Sequence, residues 1–130
     1  MADPGIVKEW LNKADEDFRF AEINLEEGND FFAQICFHFQ QAAEKYLKAY
    51  IIGKGLPFGK VHDLLHLLNI CSAHEPAFAV LREDAITLNT AYIETRYPVH
   101  WPTDYTGETA RQAFESASNI AMVVHRQLGG

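Results

Sequence analysis

Long apolar runs are missing from this 130-residue chain: no stretch approaches the roughly 20 residues that a membrane-spanning helix requires, which excludes that class. Basic residues are scarce as well, with 11 Lys plus Arg against 18 Asp plus Glu and a formal net charge of −7. Non-specific affinity for nucleic acid comes from neutralising phosphates, so a chain this acidic is a poor generic nucleic-acid binder. Any such contact needs a local basic site or a cleft made by two chains. Cysteine occurs only at Cys36 and Cys71, both among apolar residues and without C-x-x-C spacing. A reduced, buried pair of small hydrophobes fits better than a disulfide or a metal site. The opening MADPGIVKEW lacks the basic start and continuous apolar stretch of a secretion signal, so the expectation is a cytoplasmic protein. No segment alternates with the period of a strand, and no repeat or low-complexity tract is present.

What the chain does have is apolar material in helical register. Hydrophobic residues make up 48% and charged residues 22%. A domain of this length buries roughly two-thirds of its unfolded surface, so residues 1–130 form one domain that supports a core without staples.

From CFHFQQAAEKYLKAY, a central helix puts Phe32, Cys36, Phe39, Ala43, Leu47, Tyr50 and Ile51 on one face, with His38, Gln41, Lys45 and Lys48 opposite. Gln40 falls inside the apolar face, where an amide must find a hydrogen-bond partner. Before it, Asp3 and Pro4 open a helix whose apolar positions are Val7, Leu11, Ala14, Phe18, Ala21 and Leu25. Its acidic residues Asp15, Glu16, Asp17, Glu26 and Glu27 read as a solvated face, and Asp30 is the expected cap of the central helix.

GKGLPFGKV ends that helix and carries Lys54 and Lys60. A short helix over His62–Ser72 comes next, then one from about Ala77 to Tyr92 with a kink near Asp84, and a last one from Thr106 or Gly107 lined by Ala110, Ala113, Ala117, Ala121, Val124 and Leu128. The expected fold is all-α, an up-and-down antiparallel bundle of four or five helices. Between the last two helices, TRYPVHWPTDY has two prolines and no helical period, which reads as a loop of the kind that carries function.

Three groups carry candidate chemistry. His62 and His66 have the i, i+4 spacing of a metal pair, but Asp63 stands where a zincin has Glu, so the favoured reading has no metal and His62 and Asp63 bracing the helix start. Arg96 and His100 combine a permanent cation that forks toward phosphate with a group that moves protons near neutral pH, the chemistry of RNA cleavage without metal. The structural alternative pairs Arg96 with a core carboxylate and stacks His100 in an aromatic loop. Tyr97, Trp101 and Tyr105 either stack on bases or form that loop's own core.

Taken together and in order, CFHFQQAAEKYLKAYI, GKVHDLLHLL and AYIETRYPVHWP resemble the HEPN domain, a helical family named for nucleotide binding in higher eukaryotes and prokaryotes. The resemblance implies an antiparallel helical bundle, commonly a homodimer, in prokaryotes often encoded beside a minimal nucleotidyltransferase as a toxin and antitoxin pair. It also implies metal-independent ribonuclease activity, with no cofactor, at an arginine and histidine that face their copies across the dimer interface.

By position those residues are Arg96 and His100, although three residues separate them here where the family has four to six. Family partners modify a tyrosine near this motif by adenylylation, which marks Tyr97 and Tyr105. The rival expectation is a non-catalytic module that binds a nucleotide or docks a nucleotidyltransferase, with Lys60, His62, Arg96 and Tyr97 as phosphate contacts. In either case Gln40 and Glu44 are placed to anchor the Arg96 loop.

Overall fold

A computed structural model describes residues 3–96 and 105–129, with side chains outside positions 91–96. Its elements are α1 (Pro4–Glu26), α2 (Phe32–Gly53), α3 (Leu64–His74), a 3₁₀ helix (Pro76–Leu81), α4 (Arg82–Arg96) and α5 (Gly107–Gln127). The described residues are thus all-α, with five α-helices and no strand.

Successive long helices reverse direction. Phe18 of α1 meets Phe39 of α2, while Trp10 reaches Lys48, so these two run antiparallel. Phe39 meets Phe114 and Tyr46 meets His125, which makes α5 parallel to α2. At one end of the molecule Phe78 of the 3₁₀ helix packs on Tyr50, ring centroids 4.5 Å apart. From there α4 runs back along α2, antiparallel to both α2 and α5.

The second helix sits at the centre because its apolar face is continuous and nearly all-round. Ile35, Cys36, Phe39, Ala42, Ala43, Tyr46, Leu47, Ala49, Tyr50 and Ile51 are buried. The alanines of α5, Ala110, Ala113 and Ala117, let it approach closely, as their spacing anticipated. Burial pushes the Cys36 and Cys71 thiols up to about 12 from an ordinary 9.0, and both are free, in line with their reading as small hydrophobes.

Several boundaries differ from the expectation. Phe31, rather than Asp30, is the N-cap of α2, and no side chain caps it. The reversal after α1 causes this: Gly28 adopts φ +77, Asn29 N–H donates to the Asn24 carbonyl at 3.1 Å, and Asn29 Nδ2 donates to Asn24 Oδ1 at 2.8 Å, which sets the helix start one residue later. Phe31 is 64% exposed. Phe31→Ser therefore supplies a missing cap at little packing cost and is expected to stabilise the fold by about 1 kcal/mol, read as a higher urea midpoint with unchanged slope.

The expected helix over Ala77–Tyr92 is split. Glu75 Oε2 accepts from Ala77 N–H at 3.0 Å, Pro76 opens a 3₁₀ turn, and buried Phe78 and Leu81, three apart, share the face that 3₁₀ geometry aligns. The break lies at Leu81 and Arg82, ahead of the expected kink at Asp84. At its other end α4 keeps helical backbone through Arg96, where a loop was expected from Thr95.

Candidate functional site

Gln40, Glu44 and Lys48 succeed one another at four-residue spacing on α2, which stacks them along one stripe. All three are buried, at 0%, 6% and 7% exposure. Lys48, expected on the outer face, is covered because the rings of Trp10 from α1 and Phe58 from the GKGLPFGKV segment approach its ammonium at 6.0 and 5.8 Å from their centroids. Those distances suit a cation held over aromatic faces.

Glu44 Oε2 accepts two charge-assisted contacts, from Lys48 Nζ at 2.9 Å and from His62 Nδ1 at 2.9 Å. The carboxylate side chain is 8% exposed and the histidine 56%, so a buried acid holds a surface imidazole. Glu44 Oε1 has no hydrogen-bond partner among the described residues. One turn earlier, Gln40 Oε1 accepts from Gln41 Nε2 at 2.8 Å, while Gln40 Nε2 is likewise buried without a partner among them. Each such atom costs about 1–3 kcal/mol, so the stripe holds its polar atoms against the preference of the core.

The start of α3 fixes the backbone of His62. Asp63 caps that helix, its Oδ1 accepting from Leu65 N–H at 2.8 Å and His66 N–H at 3.3 Å, as the bracing reading anticipated. Asn89 of α4 joins the cap: it accepts from Leu64 N–H at 3.1 Å and donates to Asp63 Oδ1 at 3.0 Å. Asn89 did not stand out in sequence, since a lone amide on a helix gives no signal of its partner. α4 then continues for seven more residues, about 10 Å, toward the start of α2 and ends on Arg96.

Of the other sequence candidates, Lys60 is exposed two residues before His62. Tyr97, His100 and Trp101 lie outside the described residues, as does the side chain of Arg96. Tyr105 is half-buried and packs against the core. Among the described residues no group of three or more His, Cys, Asp and Glu could hold a metal, and no helix is long and apolar enough to cross a membrane.

The acidic face of α1 is less solvated than expected. Asp15 accepts from the Tyr46 hydroxyl, and Asp17 accepts from Lys45 and lies 3.4 Å from His38 Nδ1. These contacts clamp α1 to α2. Burial first, and the Asp15 hydrogen bond second, push the Tyr46 phenol well above its usual range. The surface depressions on this side, one lined by Asn12, Asp15, Glu16, Arg19 and Phe20, the other by Glu9, Trp10, Lys13 and Lys45, are open and do not include the Glu44 cluster.

An antiparallel helical domain whose second helix carries a buried polar stripe is the class that these observations define. The chain belongs to the HEPN domain family, whose model matches residues 7–127. It is similar to the crystal structure of TT1696 from Thermus thermophilus, with 33% identity and a TM-score of 0.75 over 92% of this chain and 96% of that one. It is also similar to ST0689, described as an archaeal HEPN homologue, with 25% identity and a TM-score of 0.74 over 93% of this chain and 96% of the other. No match is found among curated proteins.

Proposed function

We propose that this HEPN protein is the toxin-like component of a pair with a minimal nucleotidyltransferase, and that as a homodimer it cleaves RNA without metal in a cleft between two copies. Arg96 binds the phosphate, His100 acts as base or orienting group, and the ribose 2′-hydroxyl is the nucleophile. Two copies of Arg96 in one cleft concentrate positive potential that a chain of net charge −7 otherwise lacks.

The observation that supports the reading is a pair of polar atoms one turn apart on α2, Gln40 Nε2 and Glu44 Oε1, buried without partners among the described residues, in a chain whose α4 ends on Arg96. A guanidinium has five donors, enough to take a carboxylate oxygen on one side and a phosphate on the other. Arg96→Ala and His100→Ala are each expected to lower RNA cleavage by the purified protein roughly 10²- to 10³-fold while the circular-dichroism melt stays in place. Equal activity in wild type and both variants overturns the reading.

The rival, a non-catalytic nucleotide-binding or docking module using Lys60, His62, Arg96 and Tyr97, draws support from the exposed Lys60. It is weaker at His62, whose Nδ1 is engaged by Glu44. Calorimetric titration with ATP separates the two: binding that Lys60→Ala removes, in a protein without ribonuclease activity, favours the module.

A further inference from the structure

We propose that the segment between α2 and α3, residues 55–62, is a lid that lifts off the buried Glu44 and Lys48 pair while the helices stay folded, with the Phe58 ring as its latch. The lid would operate whether or not the protein cleaves RNA.

Both ends of the segment are fixed. Leu56 N–H donates to the Ile51 carbonyl at 2.9 Å, which ties the entry to α2, and the cap made by Asp63 and Asn89 ties the exit to α3 and α4. From Pro57 to Val61, by contrast, no backbone hydrogen bond occurs among the described residues. Side chains hold this middle part down: Leu56, Phe58 and Val61 are half-buried against the core, the Phe58 ring centroid lies 5.8 Å from Lys48 Nζ, and His62 Nδ1 meets Glu44 Oε2 at 2.9 Å. A stretch with few apolar contacts and no run of backbone bonds opens at far lower free energy than the helices around it. Gly55 and Gly59, at φ +69 and +64 with open space where a Cβ would stand, bracket Leu56, Pro57 and Phe58 and leave the backbone room to turn.

What lies beneath favours opening. Lys48 and Glu44 are 7% and 6% exposed, and Glu44 Oε1 has no hydrogen-bond partner among the described residues. Taking two charges out of water carries a cost that their attraction only partly repays, and lifting the lid relieves it by returning water to the pair. Closure gains the burial of three half-buried apolar side chains and the contact of Lys48 with the Phe58 ring. Closing and opening are thus driven by opposed contributions. Trp10, on the other side of the ammonium, belongs to α1 and stays in place when the lid lifts.

The test follows the Lys48 amine in the full chain. The protein is acetylated with acetic anhydride at several urea concentrations below the unfolding transition, and mass spectrometry reads the modification of each lysine. Exposed Lys60 reports an uncovered amine, Lys45, paired with Asp17 and 28% exposed, reports an ion-paired lysine outside the lid, and hydrogen exchange of the α2 amides reports global unfolding. Lys48 is expected to react on the order of 10²-fold more slowly than Lys60, yet much faster than global unfolding permits, with a rate nearly flat in urea because lifting the lid exposes little surface. Phe58→Ala removes the latch and should speed Lys48 about tenfold while leaving Lys45 unchanged. Phe58→Tyr keeps the ring and should return Lys48 to near the wild-type rate.

Reaction of Lys48 only at the rate of α2 amide exchange, rising as steeply with urea, overturns the lid, because the amine is then reached only by global unfolding. Reaction as fast as that of Lys60 overturns it as well, since nothing then covers the amine. So does an unchanged Lys48 rate in Phe58→Ala, which removes the latch from the account. Equal acceleration of Lys48 and Lys45 in that variant marks a general loosening of the fold and likewise overturns it.

Discussion

Phe39→Ala is expected to cost about 3–5 kcal/mol, a large part of the roughly 5–15 kcal/mol that holds a domain of this kind together. Phe39 is fully buried at the meeting point of three helices. Its ring stands edge-on to Phe18 of α1, centroids 5.4 Å apart and planes at 70°, and to Phe114 of α5 at 5.7 Å and 67°. Truncation removes the transfer free energy of the ring, two favourable aromatic contacts and the filling of a space that rigid neighbours cannot close.

At about 3–5 °C per kcal/mol for this chain length, the melting temperature should fall by roughly 10–20 °C. Phe20, of the same residue type but half exposed, is the matched comparison, and its replacement by alanine should cost about 1 kcal/mol or less. Equal losses at the two positions would show that the core is not centred where α1, α2 and α5 meet.

The second large effect lies in the polar stripe. Lys48→Ala leaves Glu44 buried with His62 as its one donor among the described residues, and breaking a buried ion pair typically costs about 3–5 kcal/mol. His62 still compensates part of the charge, which puts the expected value near the low end, about 3 kcal/mol. The double variant Glu44→Leu with Lys48→Met removes both charges at similar volume and is expected to be neutral or to stabilise by about 1–4 kcal/mol. Urea unfolding of the single and double variants checks the pair. If the double variant loses as much as the single, the stripe is a net source of stability. A gain in the double variant means that the charges are retained at a stability cost, which is the pattern of a group kept for function.

The fold was legible because apolar spacing on α1, α2 and α5 keeps a single helical period, and because glycines and prolines mark the breaks. Gln40 stood out as an amide inside an apolar face, and the structure buries it completely. Lys48 did not stand out: a helical wheel places it at the polar edge and carries no information about Trp10 and Phe58, which cover it from other elements. The pairing of Glu44 with His62, 18 positions away, depends on how the intervening segment folds back, and nothing local encodes that. Asp30 looked like a cap by residue type, but the Asn24 and Asn29 bonds decide where the chain re-enters a helix. Phe78 and Leu81 fit either helix type by spacing, and only the Glu75 and Pro76 start selects the tighter one.

The enclosure of α2 also determines how the molecule opens. Between Phe39 and Ile51 only Gln41 and Lys45 escape full burial, so no small fluctuation exposes this stretch to solvent. Its backbone amides should exchange hydrogen only when the whole domain unfolds, and their exchange rates then report the global free energy directly. The exposed first turn of α1 should exchange by local fraying, many times faster.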